Sequence, residues 1–310
     1  MNVFIINPVA GSGKGEQVVQ NYLVEHPELK GSFKTYVTEY PGHAKELARQ
    51  VATLYSESIK LLIVVGGDGT MYEVLNGLKD FSGIPLAFIP VGSGNDFARG
   101  CAMPLKPTIN LHETLHDVSL HPYWAGKYKT DFKHDRHEKL FASSLGFGFD
   151  AEVASLANES RAKKWLNKAR LKYLVYIYGL ILMTFKFKPK KLKLIYDGKE
   201  RDLTGIWMLT VSNHPYFGGG MKIAPNATIN KQTFYITIVH QISKWKLLCL
   251  FLTVFFGKHL QLKEVETFQV TDLELTSDQK LTYHADGFTD SCYRCLVRKD
   301  PNARLVKRKL

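Results

Sequence analysis

The run Ile59-Lys60-Leu61-Leu62-Ile63-Val64-Val65-Gly66-Gly67-Asp68-Gly69-Thr70 decides the fold. Its apolar residues hardly alternate with polar ones, so both faces of the strand they predict must be covered, the condition of a strand inside a parallel sheet. The glycines end that strand in a turn, and a helical pattern follows over about 70–78. Strand, glycine-rich turn and helix form the repeating unit of a doubly wound α/β domain. The same rhythm extends outward, with strands predicted at 3–6, 33–37 and 86–89 and helices near 15–25 and 43–55.

After about residue 125 the rhythm lengthens. Residues 191–196, the turn Asp197-Gly198 and residues 206–212 read as a hairpin, so a second, mainly antiparallel β domain is expected. The 310 residues suffice for two domains. Their expected bounds are 1–125 and 126–295, followed by a basic tail, 296–310, whose return to the first domain is left open.

Two apolar stretches, 173–185 and 247–256, fall short of the roughly 20 residues that cross a bilayer. Arg161, Lys163, Lys164, Lys168, Arg170 and Lys172 precede the first, and Lys186, Lys188, Lys190 and Lys191 follow it. Lys244, Lys246 and Lys258 bracket the second. With Trp165 and Trp245 these borders suit contact with anionic headgroups, and they equally suit core helices with solvated ends.

Lys and Arg number 41 against 29 Asp and Glu, a net charge of +12 that favours anionic partners. No nucleic-acid motif accompanies the charge, so no specific nucleic-acid binding is expected. The N-terminus does not resemble a signal peptide and the four cysteines are too few for a disulfide scaffold, which points to a cytoplasmic protein. Cys292 and Cys295 have CxxC spacing without a second pair or a nearby His, so strand packing is the expected role.

Three predicted strand ends carry glycine-rich turns. The first runs from Asn7 and Pro8 through Gly11, Ser12, Gly13 and Gly15, the second is Gly66-Gly67-Asp68-Gly69-Thr70, and the third is Gly92-Ser93-Gly94-Asn95-Asp96. Ligands bind at the carboxyl ends of parallel strands, where helix N-termini offer free N–H groups to phosphate. The first turn is neither a P-loop nor GxGxxG, because Pro8, Gly15 and Glu16 break both patterns. In the second, Asp68 among phosphate-facing glycines calls for a cation such as Mg²⁺, unless it merely caps the next helix. Asn95 or Asp96 is the expected cap of a helix starting near Phe97.

Taken in order, these residues resemble the diacylglycerol kinase catalytic family, which also contains sphingosine and bacterial lipid kinases. The resemblance spans nearly the whole chain. Beyond the three turns it includes Thr38 ahead of His43-Ala44, Glu73, Asn76-Gly77, Pro90, Phe97-Ala98-Arg99 and 146–151. It continues through Gly218-Gly219-Gly220, Pro225, Ala227 and Asp286-Gly287. It implies ATP between an N-terminal α/β domain and a C-terminal β-sandwich. The implied nucleotide contacts are Asn7, Gly11, Ser12, Thr38, Gly66, Gly67, Asp68, Gly69, Thr70, Gly92, Ser93, Gly94, Asn95 and Asp96. Mg²⁺ is implied at Asp68 and Asp96, with Asp286 as the base. The implied reaction transfers the γ-phosphate of ATP to a lipid hydroxyl, that of diacylglycerol giving phosphatidic acid, at the anionic inner face of the membrane. A homodimer through a sheet edge or an apolar helix is left open.

Three positions depart from the family pattern: Phe288 replaces a glutamate beside the base unless Asp290 substitutes, Asn230-Lys231 replaces an acidic pair, and Trp124 aligns with an acid. They bring in a second reading, a nucleotide- and lipid-binding sensor without turnover. An NAD kinase-like enzyme is a third, on the GGDG turn. His112-Glu113-Thr114-Leu115-His116 matches HExxH and makes a zinc metallohydrolase a minor fourth; no third ligand is evident, and a solvent-facing helix is the ordinary reading.

Overall fold

Strand burial separates the chain into two architectures. The computed structural model describes residues 1–29, 31–131, 138–158 and 172–309. Arg161, Lys163, Lys164, Trp165, Lys168 and Arg170, the first group of borders, therefore lie outside the described residues. β1 (Asn2–Ile6), β3 (Leu61–Gly66) and β4 (Leu86–Pro90) are buried along nearly their whole length, whereas β2 (Phe33–Val37) is half exposed at the sheet edge. Successive residues of one strand enter opposite layers. Val3, Ile5, Leu62, Val64, Leu86 and Phe88 pack with α2 (His43–Tyr55) and α3 (Asp68–Gly77). Phe4, Ile6, Ile63, Val65, Ala87 and Ile89 pack with α1 (Lys14–Glu25) and α5 (Pro107–His116), so the sheet is covered on both sides. The short helix α4 (Asp96–Gly100) follows the third glycine-rich turn.

Among the described residues this sheet has six strands, ordered β2-β1-β3-β4-β15-β5. β5 (Leu120–Tyr123) comes from the end of the first half, but β15 (Arg304–Lys307) comes from the far end of the chain. β15 runs parallel to β4 and antiparallel to β5. Two basic residues hold it. The buried Arg304 guanidinium donates to the carbonyl oxygens of Leu78 (2.8 Å), Lys79 (3.2 Å) and Phe81 (3.3 Å) just past the end of α3, where the helix dipole favours a cation. Lys307 Nζ donates to Asn110 O, Asn110 Oδ1 and Thr114 Oγ1 of α5 at 2.8–2.9 Å.

The second domain is an antiparallel, sandwich-like sheet of nine strands among the described residues, ordered β12-β11-β10-β8-β13-β14-β6-β7 with β9 paired to β10 and β13. Its strands are β6 (Gly126–Thr130), β7 (Lys139–Phe141), β8 (Ser144–Gly148), β9 (Lys190–Tyr196), β10 (Lys199–Ser212), β11 (Phe234–His240), β12 (Val265–Val270), β13 (Asp272–Ala285) and β14 (Phe288–Lys299). Asp197-Gly198 turns β9 into β10 as expected, both residues at positive φ. Among the described residues three α-helices join the strands: α6 (Phe149–Asn158), α7 (Lys172–Lys186) and α8 (Lys244–Val254). No described helix is long and apolar enough to cross a membrane.

Cys292 and Cys295 are both buried in β14, although strict alternation would put residues three apart on opposite faces. Tyr293 and Arg294, successive exposed residues, mark the irregularity that turns both thiols inward. Burial pushes the Cys292 thiol up to about 12, which suits packing rather than redox work.

Candidate functional site

The three glycine-rich turns lie side by side because β1, β3 and β4 are adjacent and parallel. Asn7 ties the first turn together: its Oδ1 accepts from Val9 N–H at 3.1 Å, and its amide donates to Thr70 Oγ1 of the second turn at 2.9 Å. Gly11, at φ 60°, presses on the third turn so closely that a Cβ would stand 2.2 Å from Val91 O. No other residue fits there. Thr38 is buried at the end of β2 with its N–H on Ile6 O at 2.9 Å. Gly66 closes β3, Gly67 and Gly92 pack against each other, and Ser12, Gly69 and Ser93 are exposed.

Asp68 opens α3 without capping it, since that helix has no side-chain cap. Its Oδ1 accepts instead from Phe97 N–H of α4 at 3.0 Å, bridging the second and third turns. Its Oδ2 faces Gly94, where an added Cβ would come within 2.9 Å. Burial raises the Asp68 carboxyl above the usual range despite the N–H groups of Phe97, Asp96 and Asn95. Asn95, in left-handed conformation, bonds Gly92 O with its amide, and its Oδ1 is buried without a partner.

Asp96 reaches across to the second domain. Its Oδ2 accepts from Gly219 N–H at 2.8 Å and its Oδ1 from Gly220 N–H at 2.7 Å. Burial and then the Asp68 charge push Asp96 up to about 7, opposed by those two N–H groups and by Arg99. Both oxygens are thus engaged by backbone, a role its sequence position did not suggest.

Asp286 sits with Gly287 in a two-residue hairpin turn, both at positive φ, between the paired Ala285 and Phe288. Its side chain folds back onto the segment before β8. Oδ2 accepts from Ala142 N–H at 2.5 Å, and Oδ1 from Ser143 N–H (2.8 Å) and Ser144 N–H (3.0 Å). Burial pushes it up to about 6 while the three donors pull down, and the Asp68 charge adds a further upward push.

The sequence left several partners unseen. Glu73 accepts from Gly42 N–H (3.0 Å) and Ala44 N–H (3.2 Å), filling the open N-terminus of α2. Asn76 pairs both backbone groups of Leu140 at 2.8 and 2.9 Å, fastening α3 to β7. Asn213 donates to Trp124 O and Ala142 O at 2.8 and 2.9 Å, and accepts from the buried Lys299, whose ammonium burial lowers to about 7. Polar Asn at these positions was the available signal, but its backbone partners carry none.

Phe288 stacks on Tyr72 with ring centroids 5.3 Å apart. Asp290 stands opposite Tyr283 in the ladder and bonds Ser291 N–H. Asn230 Oδ1 accepts from Gln232 and Thr233 N–H, forming a turn. His112 and His116 are exposed, as a solvent-facing helix requires, and both also hold the Tyr22 hydroxyl of α1 at 2.9 Å, while Glu113 pairs with Lys307 and Lys309. Among the described residues no three His, Cys, Asp or Glu side chains are grouped to hold a metal ion.

A mainly parallel domain with three glycine-rich turns is thus clasped through Asp96 to an antiparallel domain, and comparison with known proteins gives this arrangement its class. Residues 2–127 match the diacylglycerol kinase catalytic domain, and residues 143–306 match the YegS C-terminal NAD kinase beta sandwich-like domain. YtlR of Bacillus subtilis strain 168, provisionally named a lipid kinase, is 38% identical over 288 residues, covering 92% of each chain. A diacylglycerol kinase of Mycobacterium tuberculosis H37Rv is 28% identical over 283 residues, 91% of this chain and 87% of its own. A crystal structure from Bacillus anthracis strain Sterne, provisionally named a diacylglycerol kinase, superposes with a TM-score of 0.74 at 20% identity, covering 99% of this chain and 97% of its own. The chain belongs to the diacylglycerol kinase and YegS-like lipid kinase family.

Proposed function

We propose that the protein is a lipid kinase that transfers the γ-phosphate of ATP to the hydroxyl of diacylglycerol, with Mg²⁺, at the inner face of the membrane. The observation that carries the reading is the clasp of Asp96, on the third glycine turn, to Gly219 and Gly220 of the second domain, which sets the Asp68 turn near enough to Asp286 for their charges to couple; ATP and acceptor would meet in the cleft between the two domains. When bound, Mg-ATP supplies the transferable group and the positive charge that offsets it.

The residues fit that pair. Asp68 Oδ2 lies beside a glycine instead of a side chain, and a buried carboxyl held above its usual range gains from a nearby cation. Asn95 Oδ1 is a buried acceptor in want of a partner. Mg²⁺ on a nucleotide needs only one or two protein carboxylates, so a larger acidic cage is not required. Asp96 fixes the Gly219-Gly220 loop of the second domain against the third turn. Asp286, held by three N–H groups and raised toward neutrality, suits a base that takes the proton of an acceptor hydroxyl.

The test is to incubate the protein with labelled ATP, Mg²⁺ and mixed micelles carrying diacylglycerol, another neutral lipid, NAD or none. Lipid-dependent transfer supports the reading, and transfer to NAD alone would replace it. Phe288, stacked on Tyr72 where the family has a glutamate, favours a second reading, a nucleotide- and lipid-binding protein without turnover. ATP binding without any product would select it.

A further inference from the structure

Helix α8 is apolar on both sides. Leu247, Leu250, Phe251 and Val254 are buried against the second domain. Among the described residues nothing covers the opposite stripe: Trp245 is 71% exposed, Leu252 72% and, just past the helix, Phe256 78%. A helix apolar all round belongs in a core or in a bilayer, and a water-facing stripe of Trp, Leu and Phe has neither here. Phe185, at the end of α7, extends the patch, its ring 5.6 Å from that of Trp245.

We propose that this face of α8 is a docking surface that seats in an anionic lipid bilayer, with the helix lying in the plane of the headgroups. The inference rests on the lipid kinase reading. Charge complementarity selects the occupant: exposed Lys186, Lys188, Lys244 and Lys258 surround the apolar stripe, and neither 179–196 nor 241–263 contains an Asp or Glu. The neighbouring acid, Glu264, is spent on Lys246 at 2.7 Å. A cationic rim around an aromatic and aliphatic face matches an interfacial helix, whereas α8, with 11 residues, is too short to span.

The surface is continuous with the candidate site. Phe251 and Val254 pack on Phe217, Met221 and Ile223, and Val254 O accepts from Lys222 N–H at 3.2 Å. Those residues belong to the loop whose Gly219 and Gly220 hold Asp96. Docking through α8 therefore sets the membrane beside the loop that borders the cleft, where a hydroxyl at the lipid headgroup level can be reached.

Co-sedimentation of the full chain with phosphatidylcholine vesicles, with and without phosphatidylglycerol, tests this. The wild type should partition onto the anionic vesicles, and 0.5 M salt should weaken that binding, with a blue shift in tryptophan emission that the W245F variant lacks. The pair L252Q/F256Q, both outward-facing, should lose at least about tenfold in partition. It should still transfer phosphate to a short-chain diacylglycerol dispersed in water. Undiminished vesicle binding by the pair would overturn the docking surface, as would loss of a dimer in sedimentation analysis with vesicle binding unchanged. Vesicle binding that depends on the pair, with no phosphate transfer by any form, would leave the surface standing and remove the kinase reading instead.

Discussion

Asp96 and Asp286 are alike in chemistry and opposite in architecture. Each is a buried carboxylate raised by burial and held by backbone N–H groups of a distant segment. The Asp96 donors, Gly219 and Gly220, belong to the other domain, whereas the Asp286 donors, 142–144, belong to the same β domain. One carboxylate is a joint between domains, the other a group presented by a single rigid one. Removing the first should damage the cleft, and removing the second should damage only what happens inside it.

The largest effect should come from D286N. An amide retains an acceptor for Ser143 and Ser144 but cannot take a proton, so kcat should fall about a thousandfold while calorimetry finds Mg-ATP affinity unchanged. Retained turnover would move the base elsewhere and end the contrast. D96A should act in the opposite sense, on stability. Two half-buried N–H groups lose their acceptor, a cost of about 2 kcal/mol in denaturant unfolding, with Mg-ATP affinity weakened as well.

pH should separate the two further. A base works only when ionised, so kcat/KM should rise with pH through about 6, the value to which Asp286 is raised. For folding, the unfolded chain releases the Asp96 proton near 3.8 whereas the folded chain keeps it to about 7. The native state binds more protons in that window, so nucleotide-free stability should fall as pH rises from about 4 to about 7, and D96N should flatten the fall. Melting temperatures across that range check it. E73Q should be the mildest change: it leaves α2 poorly capped, at about 1 kcal/mol, without altering nucleotide affinity, because Glu73 touches neither domain joint nor cleft floor.

Those contrasts also mark where sequence reasoning stops. The run from Leu61 to Thr70 was legible because uninterrupted apolar residues demand two covered faces, and the glycine turns because few conformations need so many glycines. Asp68 was visible as a carboxylate out of place, yet its partner, Phe97 N–H, was not. Asp96 could be singled out, but its clasp depends on backbone donors 123 and 124 positions away, and backbone N–H groups leave no mark on residue identity. The tail was legible only as basic, with its return to the first domain left open; Arg304 and Lys307 are buried on carbonyls and side chains there, so part of the +12 excess is structural rather than an attraction for ligands.

The position of β15 has a consequence for synthesis. As the chain leaves the ribosome, β4 and β5 emerge early, but the strand that belongs between them follows the whole β domain. The nucleotide-side sheet therefore waits, incomplete, while the whole β domain is made. β15 then works as a latch: the first domain closes only after the second exists, so the glycine turns and Asp286 come into place together.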